Sequence, residues 1–77
     1  MRIEVVDRGQ TFEGTPRQIL MQMKSLSRGA EHLSLREFIA ANVARGGMDA
    51  QPVGESDEEL AESFVAQMLE GGYARRA

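Results

Sequence analysis

Residues 33–47 read LSLREFIAANVARGG and carry the most complete helix signal in the chain. Ser34 and Glu37 have the spacing of a capping box, in which each side chain accepts a hydrogen bond from the other residue's backbone amide. Two consecutive glycines close the stretch, as is common where a helix ends in a left-handed turn. The pattern therefore predicts a helix over about residues 35–45.

The apolar residues of this helix fall on one side. Leu33 and Phe38 stand at the two positions of a hydrophobic staple, which sets the angle at which the chain enters the helix. Small side chains elsewhere on the helix predict that a neighbouring element approaches it closely. The inward stripe comprises Leu35, Phe38, Ile39 and Val43, and the small residues are Ala40, Ala41 and Ala44.

The same start signal occurs twice more. Thr15 and Gln18 form a capping box with Pro16 at the first helical position, which predicts a helix over about residues 16–28. Ser56 and Glu59 form another, and it predicts a helix over about residues 57–70 that ends at a second glycine pair. The expected inward residues are Ile19, Leu20, Met23 and Leu26 in the first helix and Leu60, Phe64, Val65, Met68 and Leu69 in the last.

Residues 2–13 alternate in the manner of a β-hairpin, with Ile3, Val5 and Phe12 able to share one face. Because an isolated two-stranded ribbon is only marginally stable in water, this one must pack on the helices or pair with another chain. We expect the tail, residues 73–77, to fray. The sequence therefore predicts a single small α+β domain over residues 1–77, with an N-terminal hairpin packed on a compact three-helix group (ββααα).

Composition excludes several kinds of chemistry. The chain has 77 residues, no cysteine and one histidine, so thiolate nucleophiles, disulfides and cysteine-based zinc sites are absent. His32 lies between two predicted helices with no partner that the sequence can place beside it, and we predict no catalytic, cofactor-binding or metal-binding residues. No apolar run reaches the length of a membrane span, and the N-terminus does not read as a secretory signal, so we expect a cytoplasmic protein without a membrane partner.

The charges are unevenly distributed. Residues 1–47 hold 7 basic and 5 acidic groups, whereas residues 48–77 hold 2 and 7, within a net charge of −3. On the first helix a row of cations shares one face with a methionine that lies outside the inward stripe, and methionine is common on adaptable binding surfaces. We predict these residues to contact a partner: Arg17, Met21, Lys24 and Arg28.

Carboxylates crowd the start of the last helix. They lack the alternating spacing and central glycine of a calcium-binding loop, and their simplest role is to stabilise the positive end of the helix dipole. An acidic surface of this kind also suits a basic partner. The second set of predicted partner-binding residues is therefore Glu58, Glu59 and Glu62.

These features favour a small non-enzymatic protein-interaction module, a regulator, adaptor or inhibitor that binds another protein or a second copy of itself. The alternative is a dimeric nucleic-acid-binding regulator that uses the basic N-terminal half. In that interpretation the first two helices form a helix-turn-helix with Arg36 and Asn42 on the recognition helix. The connection between the helices is longer than usual, and the sequence pI of about 5.0 disfavours phosphate binding.

In size, acidity and lack of cofactor motifs the chain resembles the small inhibitors of phages and mobile elements, among them anti-CRISPR proteins. This is a resemblance of type that rests on no motif. It implies a protein that acts by binding and occluding another macromolecule.

Overall fold

The computed structural model describes all 77 residues and has three strands and three helices in the order ββαααβ. They are β1 (Arg2–Val5), β2 (Gln10–Glu13), α1 (Pro16–Leu26), α2 (Leu35–Gly46), α3 (Asp57–Glu70) and β3 (Ala74–Arg76). The fold is α+β, as predicted, with a hairpin and three helices and with a third strand in addition.

The hairpin pairs as its alternation predicts. Ile3 lies opposite Phe12 in the antiparallel register of β1 and β2, so both side chains point to the buried face of the sheet. In the turn, the Val5 carbonyl accepts hydrogen bonds from the Arg8 and Gly9 amides at 3.2 and 2.9 Å. Gly9 has a φ of 65°, a left-handed conformation that glycine adopts without steric cost.

The prediction that the tail frays is wrong. Residues Ala74–Arg76 form β3, which pairs antiparallel with β1 and gives the sheet order β2-β1-β3. The Val6 amide donates to the Tyr73 carbonyl at 3.0 Å, and Ala74 is only 2% exposed. The tail is ordered because its backbone forms hydrogen bonds with the second edge of β1 and because Ala74 packs on the core.

All three predicted capping boxes are present, each with both of its reciprocal hydrogen bonds. Helix α1 ends at Leu26, two residues before the predicted end, because Ser27 takes an extended conformation with φ −94° and ψ 118°. The longest helix, α3, has 14 residues, and no helix has the length and apolar character needed to cross a membrane.

The core contains 14 buried residues, all of them apolar. Leu26 departs from its expected burial: it is the last residue of α1 and is 58% exposed. The alanine face of α2 also departs from expectation, because α2 packs through Leu35, Phe38 and Ile39. The three alanines Ala40, Ala41 and Ala44 are consequently exposed.

Candidate functional site

An apolar cavity of about 300 Å³ opens where the hairpin turn meets the carboxyl ends of α1 and α2. Its lining includes every aromatic residue of the chain, three phenylalanines and one tyrosine. They are Phe12, Phe38, Phe64 and Tyr73. A concave site that is lined mainly by apolar and aromatic side chains, with polar groups among them, is the usual form of a binding pocket.

The cavity has a rigid floor and adaptable walls. Phe38, Phe64 and Met68 belong to the floor and are each at most 3% exposed, so the hydrophobic core holds them in place. Met23 and Met48 are half-buried in the walls, where unbranched thioether side chains can adjust to an occupant. Leu26 extends the apolar surface outward at the rim.

Two helix ends of the same type place wall residues at the cavity. Gly47 has a φ of 63°, and the next amide, that of Met48, donates to the Val43 carbonyl at 3.1 Å. Gly72 has a φ of 80°, and the Tyr73 amide donates to the Met68 carbonyl at 2.9 Å. Both are Schellman motifs, in which the residue after the left-handed glycine folds back onto its own helix.

Three charged residues line the mouth of the cavity: Asp7 and Arg8 from the hairpin turn, and Arg45 from the last turn of α2. Asn42 orients Arg45: its Nδ2 donates to the Phe38 carbonyl at 2.9 Å, while its Oδ1 accepts from Arg45 Nη2 at 3.3 Å. The fold contains two ion pairs, Arg17–Glu58 and Arg75–Glu4, and neither involves a residue of the mouth.

The basic residues predicted on α1 lie apart from the cavity. Met21 is 44% exposed, and together with Arg17 it borders a shallow depression on α1. Arg17 Nη1 donates to Glu58 Oε1 at 3.1 Å, so the basic row and the acidic cluster touch rather than form two separate poles. Lys24 Nζ donates to the Glu31 carbonyl at 3.3 Å, and Arg28 is exposed beyond the end of α1.

The acidic candidates on α3 have different environments. Glu58 pairs with Arg17, and Glu62 is exposed. Glu59 closes the capping box, and hydrogen bonds from the Ser56 backbone amide and then from its hydroxyl hold the pKa of Glu59 below its ordinary value. The Ser34 amide and hydroxyl lower the pKa of Glu37 in the same way. No three His, Asp or Glu residues are grouped so as to hold a metal ion.

The glycine pairs predict the ends of α2 and α3, but the residues that line the cavity beyond those ends were not among the predicted site residues. A signal for two of them is present, because each glycine pair is followed directly by a large apolar or aromatic residue, Met48 or Tyr73. In a Schellman motif that next residue returns to pack on its helix. The hairpin-turn residues Asp7 and Arg8 carry no such signal, because they reach the mouth only through the tertiary fold.

The two residues considered for reading DNA bases already have partners within the chain. Arg36 Nη2 donates to the Gly54 carbonyl at 2.8 Å, and Asn42 binds Phe38 and Arg45. His32 is exposed between α1 and α2 and is not part of the cavity lining. No protein-family model, curated protein or solved structure matches the chain.

Proposed function

We propose that this protein is a non-enzymatic protein-interaction module, a small regulator, adaptor or inhibitor, that holds an apolar side chain of its partner in the cavity. The observation that supports the proposal is the concentration of the chain's aromatic residues around one opening with an exposed leucine at its rim. Interfaces are commonly organised around such an anchor, with a pocket at the centre and polar residues around it.

The size of the cavity favours an anchor side chain over a larger free ligand. Its volume of about 300 Å³ lies at the bottom of the range for small-molecule sites. Burial of one large apolar side chain contributes roughly 1.5–3 kcal/mol, whereas a micromolar complex requires about 8 kcal/mol. The anchor alone is therefore insufficient, and contacts at Leu26 and at the charged mouth must supply the remainder.

Two exposed apolar residues of α1 allow a matched test of which surface is used. Leu26→Glu places a charge at the cavity rim. Met21→Glu makes the same kind of change on the surface of α1 that the sequence predicts to contact a partner. Each tagged variant is used to capture partners from host lysate treated with nuclease, after circular dichroism shows that both are folded. We expect wild type and Met21→Glu to retain a protein partner and Leu26→Glu to lose it.

The opposite pattern, with loss only in Met21→Glu, would show that the partner binds the α1 surface and not the cavity. Recovery of nuclease-sensitive material alone contradicts protein binding and supports the nucleic-acid alternative. Light scattering of the purified chain over a dilution series tests whether the bound protein is a second copy. In that case the Leu26→Glu chain is monomeric at concentrations where wild type is dimeric.

A further inference from the structure

The mouth of the cavity holds more positive than negative charge, although the chain as a whole carries a net charge of −3. Two arginines and one aspartate line it, and neither arginine has a carboxylate partner. Arg8 donates a hydrogen bond only from its backbone amide, within the hairpin turn, which leaves its guanidinium group for another acceptor. Arg45 is aimed by Asn42 and keeps most of its five N–H donors for another acceptor.

The carboxyl ends of the helices carry partial negative charge. Its size must be compared with the positive charge of the two arginines. A helix end contributes about half an elementary charge at most, and its effect falls off within the last turn. The glycine motifs bind carbonyls at the ends of α2 and α3, and Arg45 lies in the last turn of α2. The guanidinium groups therefore contribute two whole positive charges, against one whole negative charge at Asp7 and the partial charges of helix ends that the glycine motifs and Arg45 reduce.

We propose that the segment bound in the cavity is an acidic peptide segment of a partner protein, in which carboxylates flank the apolar anchor and pair with Arg8 and Arg45. The inference rests on the proposed function and specifies the chemistry of its partner. A guanidinium group fits a carboxylate with two parallel hydrogen bonds, which gives orientation as well as attraction. The apolar anchor supplies burial, and the arginines select which segments can present it.

The methionines provide a readout of binding. Of five methionines, Met23, Met48 and Met68 line the cavity, whereas Met1 and Met21 lie outside it. We would label all methionine methyl groups with ¹³C and titrate the full chain with three blocked pentapeptides. Each peptide has a central phenylalanine, flanked on both sides by two glutamates, two serines or two lysines.

We expect the glutamate peptide to shift the methyl signals of the cavity methionines and not those of Met1 and Met21. Two exposed ion pairs make it bind about tenfold more tightly than the serine peptide at low ionic strength. The lysine peptide binds most weakly. Raising the salt concentration to about 0.5 M brings the glutamate and serine peptides to similar affinities, because exposed pairs are screened.

Charge variants test the assignment to the two arginines. In the double variant Arg8→Gln, Arg45→Gln we expect the affinity for the glutamate peptide to fall about tenfold, to that of the serine peptide for the same variant, so that the preference for glutamate disappears. Arg76→Gln is the control, because Arg76 is an exposed cation of β3 that makes no ion pair and does not line the cavity.

The outcomes separate the two proposals. Equal affinity for the glutamate and serine peptides, or a preference for lysine, overturns the acidic partner and leaves the apolar anchor intact. Failure of all three peptides to shift the cavity methyl signals at concentrations up to about 20 mM contradicts the anchor itself, because an anchor that contributes about 3 kcal/mol binds in the millimolar range. Shifts that grow with protein concentration in the absence of peptide identify a second copy of the chain as the occupant, which also overturns an acidic partner.

Discussion

At the scale of single residues, Gly54 illustrates how a loop constrains the position of a helix. It lies between α2 and α3 with a φ of 152°, and its carbonyl accepts a hydrogen bond from Arg36 Nη2. A Cβ atom at this position would lie 2.6 Å from the Leu60 backbone nitrogen and 2.8 Å from the Glu59 carbonyl carbon. The loop therefore rests directly on the first turn of α3, and only glycine fits there.

We expect Gly54→Ala to lower the free energy of unfolding by about 2–4 kcal/mol, because the backbone conformation disfavours a side chain and the backbone of α3 cannot move aside easily. Gly46→Ala is the control: Gly46 is helical, and its added methyl group would meet only Met48 Cγ at 3.5 Å. This control is expected to be neutral or to stabilise by up to about 1 kcal/mol. Urea unfolding of both variants measures the difference, and equal stabilities would contradict the close approach.

At the scale of elements, the capping box at the start of helix α3 makes the stability of that helix sensitive to acid. Hydrogen bonds from the Ser56 backbone amide and hydroxyl hold the pKa of Glu59 below its ordinary value. A carboxylate whose pKa is lower in the folded state stabilises the fold above its unfolded pKa and loses that contribution as pH falls through the folded pKa. The stabilisation is therefore complete above about pH 5 and lost on acidification below about 4.5.

We expect Glu59→Gln to reduce the loss of stability between about pH 5 and pH 3, because glutamine keeps the capping hydrogen bonds without titrating. Gln18 already fills the same position in α1. Glu62→Gln removes an equal charge from an exposed position of the same helix and serves as the control. Thermal unfolding as a function of pH gives the slopes. If the Glu59→Gln slope matches wild type and the control, the hydrogen bonds do not link proton binding to folding.

The third strand gives a second prediction at this scale. Because the Val6 amide donates to the Tyr73 carbonyl, we expect its hydrogen exchange to be slow in the full chain. The Thr11 amide is the internal reference, since alternation in the β1–β2 register turns it towards the open edge of β2, and it should exchange fast. Removal of residues 73–77, which includes the acceptor carbonyl of Tyr73, should make the Val6 amide exchange fast. Equal exchange of Val6 and Thr11 in the full chain would mean that the tail is not a strand.

Features that depend on residues close together in the sequence could be predicted, whereas features that depend on residues far apart could not. The helix starts were correct because Thr15, Ser34 and Ser56 each bind a residue three positions later. The third strand was missed because Arg75 pairs with Glu4 at the other end of the chain, and three residues carry too little alternation to indicate a strand. The cavity was missed because Arg8, Leu26 and Tyr73 meet only after the helices pack.

At the scale of the whole molecule, the cavity costs stability. Apolar side chains at its walls lack contacts that a packed core of this size would normally give them, and a 77-residue chain has little stability to spare. Natural binding sites commonly trade stability for function in this way. Under the proposed function, filling the cavity should therefore stabilise the fold and abolish binding together.

Asn42 is the position at which the effects of filling the cavity on stability and on binding can be measured together. It is half-buried at the cavity, and both Asn42→Leu and Asn42→Ala remove its bond to Arg45 and improve helix propensity, but only leucine fills space. We expect the leucine variant to unfold with a free energy roughly 1 kcal/mol above that of the alanine variant and to show no peptide-induced shift at Met48. The alanine variant should still bind the serine peptide. If the leucine variant were no more stable than the alanine variant, the space would not admit a side chain, and an anchor from a partner would not fit there either.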